Sequence, residues 1–158
     1  MGIREFRESD IDAVFEIQMR AYRPLYEKYH DDEISPYMES KEKILGKYLK
    51  SGTKGYLFME NGIPVGAVRI LLDPVNRCAK VSALAVIPEY QGRGIAQRAL
   101  LQIERLHGDI DIWRLDTILQ EKGNCHLYEK LGYVKTGKIK EIKAGMSLVF
   151  YEKHKVNK

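Results

Sequence analysis

Between Leu84 and Ala96 the chain reads Leu84-Ala85-Val86-Ile87-Pro88-Glu89-Tyr90-Gln91-Gly92-Arg93-Gly94-Ile95-Ala96. An apolar run, a proline, two glycines and an amphipathic stretch predict a strand, a turn and a helix in that order. Such an arrangement gathers free backbone N–H groups and the positive end of a helix at one point. An anion, most simply a pyrophosphate, can be held there without a metal. Glycine at 92 and 94 lets a phosphate approach the backbone and accepts positive φ without steric cost. No Gly-Lys-Ser/Thr follows, so this is not a nucleoside-triphosphate loop, and the three-glycine dinucleotide spacing is also missing.

A second segment, Gly123-Asn124-Cys125-His126-Leu127-Tyr128-Glu129-Lys130-Leu131-Gly132-Tyr133, predicts a short helix running into a strand. Asn124 reads as its N-cap, and Leu127 and Leu131 are spaced to face a core. Tyr128 lies about 100° around the helix from Leu127 and is free to point elsewhere. Between the two segments, Arg114-Leu115-Asp116-Thr117-Ile118 reads as a strand with a charge inside it, and Glu121 follows. An ion pair or strand-edge solvation accounts for Asp116 as well as catalysis does.

The elements that must position these residues follow from periodicity. Ile3 to Arg7 predicts a strand, and Ser9 offers the N-cap of a helix carrying Ile11, Val14, Phe15, Ile17 and Ala21, interrupted near Pro24. From Leu25 to Met38 the periodicity is lost, and Lys41 to Leu49 predicts a second helix. Gly55 to Met59, the Asn61-Gly62 hairpin signal, and Ile63 to Leu72 predict paired strands. Ala79 to Val86 completes the meander and leads into the glycine loop. Ile95, Ala99, Leu100, Ile103 and Leu106 stripe the next helix, with Gly108 after it as its cap. Trp113 to Ile118 is a strand, and Tyr133 to Ile142 and Met146 to Lys153 form a final antiparallel pair. The order is β-α-α-β-β-β-α-β-α-β-β, an α+β fold with a mostly antiparallel mixed sheet and one strand-helix-strand crossover that makes its strands parallel.

Gln91-Gly92-Arg93-Gly94-Ile95-Ala96 resembles the Gln/Arg-x-x-Gly-x-Gly/Ala segment of the GNAT superfamily of acyl-CoA-dependent N-acyltransferases. The Asn124 to Tyr133 segment and the element order resemble the same family, so the likeness covers essentially the whole chain as one N-acetyltransferase domain, residues 1–158. The resemblance implies a strand that bulges at Leu84, Ala85 and Val86 and splays from its neighbour to admit the pantetheine arm of acetyl-CoA. It implies that Gln91, Gly92, Arg93, Gly94, Ile95 and Ala96 hold the pyrophosphate. Asn124 would touch the pantetheine or diphosphate, and Tyr128 would protonate the departing thiolate. The transfer is modestly uphill, from a phenol near pKa ~10 to a thiol near ~8.5. Some relatives carry a glutamate base on the strand before the loop, but Lys80 to Val86 holds no carboxylate. Asp116 and Glu121 are the nearest alternatives, acting through water.

Composition agrees with an ordinary globular protein: 158 residues, 44% hydrophobic, 30% charged, with a formal charge of +4. No stretch approaches the roughly 20 apolar residues of a membrane span, and the polar N-terminus is unlike a secretory signal. Cys78 and Cys125 have no metal-ligand spacing, so the expectation is a cytoplasmic chain with reduced thiols and no metal. Tyr22, Tyr26, Tyr29 and Tyr37 cluster with Asp31, Asp32 and Glu33, a composition suited to a cationic amine, though a polar surface loop explains it too. The acceptor stays open among small amines, polyamines, amino acids and protein lysines or N-termini. A non-catalytic acyl-CoA-binding sensor domain is the alternative. A nucleic-acid module built on the lysines from Lys135 to Lys158 ranks below both, because Glu141 and Glu152 interrupt them and no aromatic platform accompanies them. The family resemblance also admits a homodimer.

Overall fold

Short apolar runs buried on both faces at residues 55–58 and 65–68, and period-3.6 stripes in the helices, produce one sheet with helices on both faces. The computed structural model describes residues 1–155; residues 156–158, the end of the expected domain and of the lysine-rich stretch, lie outside it. Seven strands run β1 (Gly2–Glu5), β2 (Thr53–Glu60), β3 (Ile63–Asp73), β4 (Cys78–Val86), β5 (Ile112–Ile118), β6 (Val134–Lys143) and β7 (Met146–His154). Four helices join them: α1 (Ile11–Tyr29), α2 (Lys41–Leu49), α3 (Ile95–Leu106) and α4 (Lys122–Lys130). The sheet order is β1-β2-β3-β4-β5-β7-β6. All neighbours are antiparallel except β4 and β5, which the α3 crossover makes parallel. The α+β fold and its element order are those the sequence predicts.

Leu57, Phe58, Val65, Val68 and Ile70 are fully buried at the centre of the sheet. From α3, Ile95, Ala99, Leu100 and Ile103 cover one face of it. On the other face, Val14 and Ile17 of α1 and Ile44 and Tyr48 of α2 do the same. The Asn61-Gly62 turn has both residues at positive φ, 51° and 77°, as a tight two-residue hairpin requires.

Two boundaries at α1 differ from the sequence reading. Its N-cap is Asp10 rather than Ser9. The Asp10 carboxylate takes two hydrogen bonds from Arg4, at 2.9 and 2.8 Å, and one from the Arg7 N–H, which fixes the entry one residue later. The helix also continues through Pro24 to Tyr29. The proline removes one hydrogen bond. Docking at the helix end offsets that loss: Tyr29 is buried and donates to Glu121, and Tyr26 stacks on Tyr37 with ring centroids 5.2 Å apart.

Where α3 ends, His107 Nε2 lies 2.7 Å from the Tyr56 hydroxyl, with Trp113 edge-on to the imidazole. Burial holds the His107 imidazole below its ordinary 6.5, so folding favours the neutral ring. The stabilisation is complete above that value and is lost as pH falls below it, because the unfolded chain binds the proton more readily. A thermal-melt series from pH 8 to pH 5 is expected to fall more steeply for the native chain than for His107→Gln. Parallel curves would refute the assignment.

Candidate active site

The site begins where β4 leaves β5. The parallel pairing covers only Cys78–Ile112, Ala79–Trp113 and Lys80–Arg114, and then the strands part. Past that point β4 bulges, since Ala67 and Arg69 of β3 face Ala85 and Ser82, and the extra residue is taken up with Ala83 at φ 52°. The family resemblance implies a bulge and a splay in this strand; the bulge falls at Ala83 and Leu84, and Ala85 and Val86 are back in regular register with β3. Val86 lies opposite Gly66, next to the Ile87 N–H that bonds the Val65 carbonyl at 2.9 Å. By the alternation of an antiparallel ladder, the N–H and C=O of Val86 therefore face the gap rather than β3.

Two side chains already reach this open edge. The Tyr22 hydroxyl, from α1, donates to the Leu84 carbonyl at 2.6 Å, and Gln91 Nε2 donates to the Val86 carbonyl at 2.8 Å. Burial raises the Tyr22 phenol far above the usual tyrosine range, with the Tyr128 phenol adding to the shift. It is a donor at any physiological pH. The sequence placed Tyr22 with the acidic-aromatic cluster, and its spacing did not separate it from Tyr26, which lies four residues on along the same side of α1.

Beyond β4, Pro88 to Tyr90 form a short 3-10 turn, and Gly92 and Gly94 both take φ 76°. The first hydrogen bond of α3 runs from the Arg98 N–H to the Gly94 carbonyl. The N–H groups of Ile95, Ala96 and Gln97 consequently have no partner inside the helix. No acidic side chain occupies that first turn. Arg98 Nη1 donates to the Arg93 carbonyl at 3.0 Å and braces the loop, while the Arg93 guanidinium rests 4.7 Å from the Tyr90 ring centroid. Glu89 is paired with Arg20 of α1, leaving the loop's glycine side basic.

The other wall is α4. Its N-cap is Glu121, whose carbonyl takes the Asn124 and Cys125 N–H groups at 3.1 and 3.2 Å. Asn124 is thus an exposed residue inside the first turn rather than the cap. Tyr128 belongs to the buried face of α4, with Cys125 and Leu131, while Leu127 is only half-buried. Three-residue spacing from Cys125 puts it there. Its ring packs against Tyr133 and Tyr151, with centroids 6.1 and 6.3 Å away. Burial raises its phenol well above the usual range, helped by the negative charge of Asp116.

The carboxylates are not equivalent. Asp116 lies on β5 and faces the side of the sheet that α1 and α2 cover only in part, 3.2 Å from Lys80 Nζ. Glu121 is engaged instead by Lys28 Nζ at 2.7 Å and by the Tyr29 hydroxyl, which tie α1 to α4. Burial pushes the Glu121 carboxyl up, but those two donors outweigh it and hold it below the usual range. His126 is exposed. Tyr26 bonds Asp32 at 2.5 Å and stacks on Tyr37, so those cluster members are satisfied within it. Among the described residues no group of three or more His, Cys, Asp or Glu side chains stands together as metal ligands. No helix among them is long and apolar enough to cross a membrane.

The sheet thus opens at one bulged strand, with the acid-free N-terminus of α3 at the mouth of the gap. Residues 11–133 match the acetyltransferase (GNAT) family, and the chain belongs to that family. Its members use acetyl-CoA as donor and transfer the acetyl group to amines. No curated protein matches the sequence. Among solved structures, the fold is similar to the ribosomal-protein-S18-alanine N-acetyltransferase from Escherichia coli, with a TM-score of 0.78, 16% identity, and 97% and 92% of the two chains covered. It is also similar to the PaiA N-acetyltransferase of Thermoplasma acidophilum in complex with coenzyme A, with a TM-score of 0.77, 21% identity and 98% of each chain covered. A third, the spermidine N-acetyltransferase from Vibrio cholerae in complex with CoA and spermine, has a TM-score of 0.76 at 17% identity, over 96% and 93% of the chains.

Proposed function

We propose that the chain, as a single domain over residues 1–158, transfers the acetyl group of acetyl-CoA to a primary amine by direct attack in a ternary complex. The observation that carries this reading is the unpaired edge of β4 running straight into the acid-free N-terminus of α3. Pantetheine amides pair with the edge at Leu84 and Val86 as a short added strand would, while Ala85 between them turns its own N–H and C=O toward β3. The pyrophosphate sits on the N–H groups of Gly92, Arg93, Gly94, Ile95 and Ala96, with Arg93 lifted from Tyr90 to meet it; the Gln91 N–H, expected among them, is taken by the Pro88 carbonyl at 3.2 Å, and Gln91 serves by bracing the loop. A backbone N–H on the same edge polarises the thioester carbonyl.

The amine nitrogen forms the new bond to the carbonyl carbon, and the C–S bond breaks. Tyr128 gives its proton to the departing thiolate; the nitrogen, arriving as an ammonium, loses two protons over the reaction, of which one reaches solvent and the other restores the Tyr128 phenol. Asp116 faces the acceptor nitrogen and passes the first of them on to water. Glu121 is excluded from this role by its bonds to Lys28 and Tyr29.

The test is thiol release from acetyl-CoA across small amines, polyamines, amino acids and lysine peptides. Turnover with one amine class supports the reading. Tight acetyl-CoA binding with no turnover would instead favour a sensor domain. In the same assay Asp116→Asn is expected to lower kcat/KM about tenfold, a modest loss because the amide keeps a polar contact at the site and only the charge is removed. Glu121→Gln should register in the melting temperature instead. An undiminished Asp116→Asn enzyme removes Asp116 from the mechanism.

A further inference from the structure

Beside Asp116, where α1 stops covering the sheet, the strands β5, β7 and β6 leave an open groove of about 330 Å³. Its floor is set by register: Asp116 is opposite Phe150, and Arg114 is opposite Glu152, all on one face. Lys80 and Lys138 complete the lining. The charges pair unevenly. Lys80 meets Asp116 at 3.2 Å, and Arg114 Nε meets Glu152 at 2.8 Å. Lys138 has no carboxylate partner among the described residues; its ammonium rests 4.5 Å from the Phe150 ring centroid. Three cations face two carboxylates, so the groove as it stands carries one excess positive charge.

We infer that this groove binds the acceptor, and that the acceptor is an α-amino acid, held by its ammonium at Asp116 and by its carboxylate at Lys138. The inference rests on the acetyl transfer proposed above. Continuing the parallel register past Lys80–Arg114 brings Asp116 level with Ser82, two residues before Leu84. A nitrogen held at Asp116 therefore lies beside the bulge, where the thioester arrives. The incoming ammonium replaces Lys80 on Asp116. Lys80 is half exposed, so moving it takes little desolvation. The displaced Lys80 and the unpaired Lys138 then both have an anion to meet, which a zwitterion supplies. With Lys138 lifted away, the Phe150 ring offers an apolar surface to the acceptor's side chain. A polyamine would bring two or more positive charges to a groove already in cation excess and supply nothing for Lys138.

The experiment uses the full chain with acetyl-CoA. Each of a panel of L-amino acids is assayed beside the amine that remains when its carboxylate is removed, with spermidine and a lysine peptide alongside. The expected result is at least a tenfold higher kcat/KM for an amino acid than for its decarboxylated partner, the scale of one charge-assisted contact. Lys138→Gln should bring that ratio down toward one, whereas a merely structural Lys138 would lower both members of the pair together. Preference for spermidine, the lysine peptide or the decarboxylated amine overturns the acceptor class and leaves the transferase standing. Acetyl-CoA binding without turnover on any amine overturns the transferase reading, and this inference with it.

Discussion

Tyr128→Phe is expected to lower kcat about a hundredfold while KM for acetyl-CoA stays within about twofold. The loss falls on kcat because the phenol acts on sulfur only as the C–S bond breaks, and an interaction made in the transition state alone leaves binding untouched. The burial that raises the native phenol makes it a weaker acid than the sequence suggests, so its proton moves only as negative charge builds on sulfur. Burial keeps the phenol protonated at any pH where the enzyme works, so the donor is always charged with its proton. No other residue hydrogen-bonds it among the described residues, so the phenylalanine leaves no polar group stranded and the ring keeps its packing on Tyr133 and Tyr151. The melting temperature should barely move. Steady-state kinetics with acetyl-CoA varied against a fixed, saturating amine decide the matter. Equal kcat values for the two proteins would remove Tyr128 from catalysis, and a large drop in melting temperature would show the effect to be structural.

Much of this site was legible in one dimension because its parts are local. The loop from Gln91 to Ala96 is a turn chemistry, fixed by two glycines a residue apart, and needs no distant partner to be recognised. The crossover from β4 through α3 to β5 follows from periodicity, and its parallel sense follows from a helix long enough to carry the chain back along the sheet. What was hidden depends on contacts across the sheet. Tyr22 lies sixty-two residues from the Leu84 carbonyl that it satisfies. Its neighbours in sequence are Tyr26 and acidic residues, which suggested a different role. Glu121 looked as available as Asp116 until Lys28 and Tyr29, over ninety residues away, were found to occupy it. The cap of α4 was misplaced because Asn is a strong N-cap residue. Here, however, the strand end and turn at Ile118 to Glu121 set the first helical carbonyl three residues earlier. Pro24 misled for the opposite reason: its local penalty is real, and burial of Tyr29 further along the helix outweighs it.

Gly94→Val is expected to raise KM for acetyl-CoA about thirtyfold, with kcat at saturation within about threefold of native. Gly94 caps α3 at φ 76°, in the left-handed region. A β-branched residue held there is strained by about 1–3 kcal/mol. Its Cβ would also stand 3.0 Å from Arg98 Nη1, dislodging the brace between Arg98 and the Arg93 carbonyl. The loop relieves the strain by turning its N–H groups away from the point where they converge, and the pyrophosphate loses them. A loss of about 2 kcal/mol corresponds to the thirtyfold change. The proposed mechanism places chemistry at the far end of the gap, by Leu84 and Tyr128, so an enzyme saturated with donor should turn over nearly as before. Gly62→Val supplies the control. Gly62 is equally left-handed, at φ 77°, in the β2–β3 hairpin, where an added Cβ meets nothing within 4 Å. It should lower the melting temperature without moving KM. If both variants shift KM alike, the effect is one of general stability, and the pyrophosphate does not sit at the N-terminus of α3.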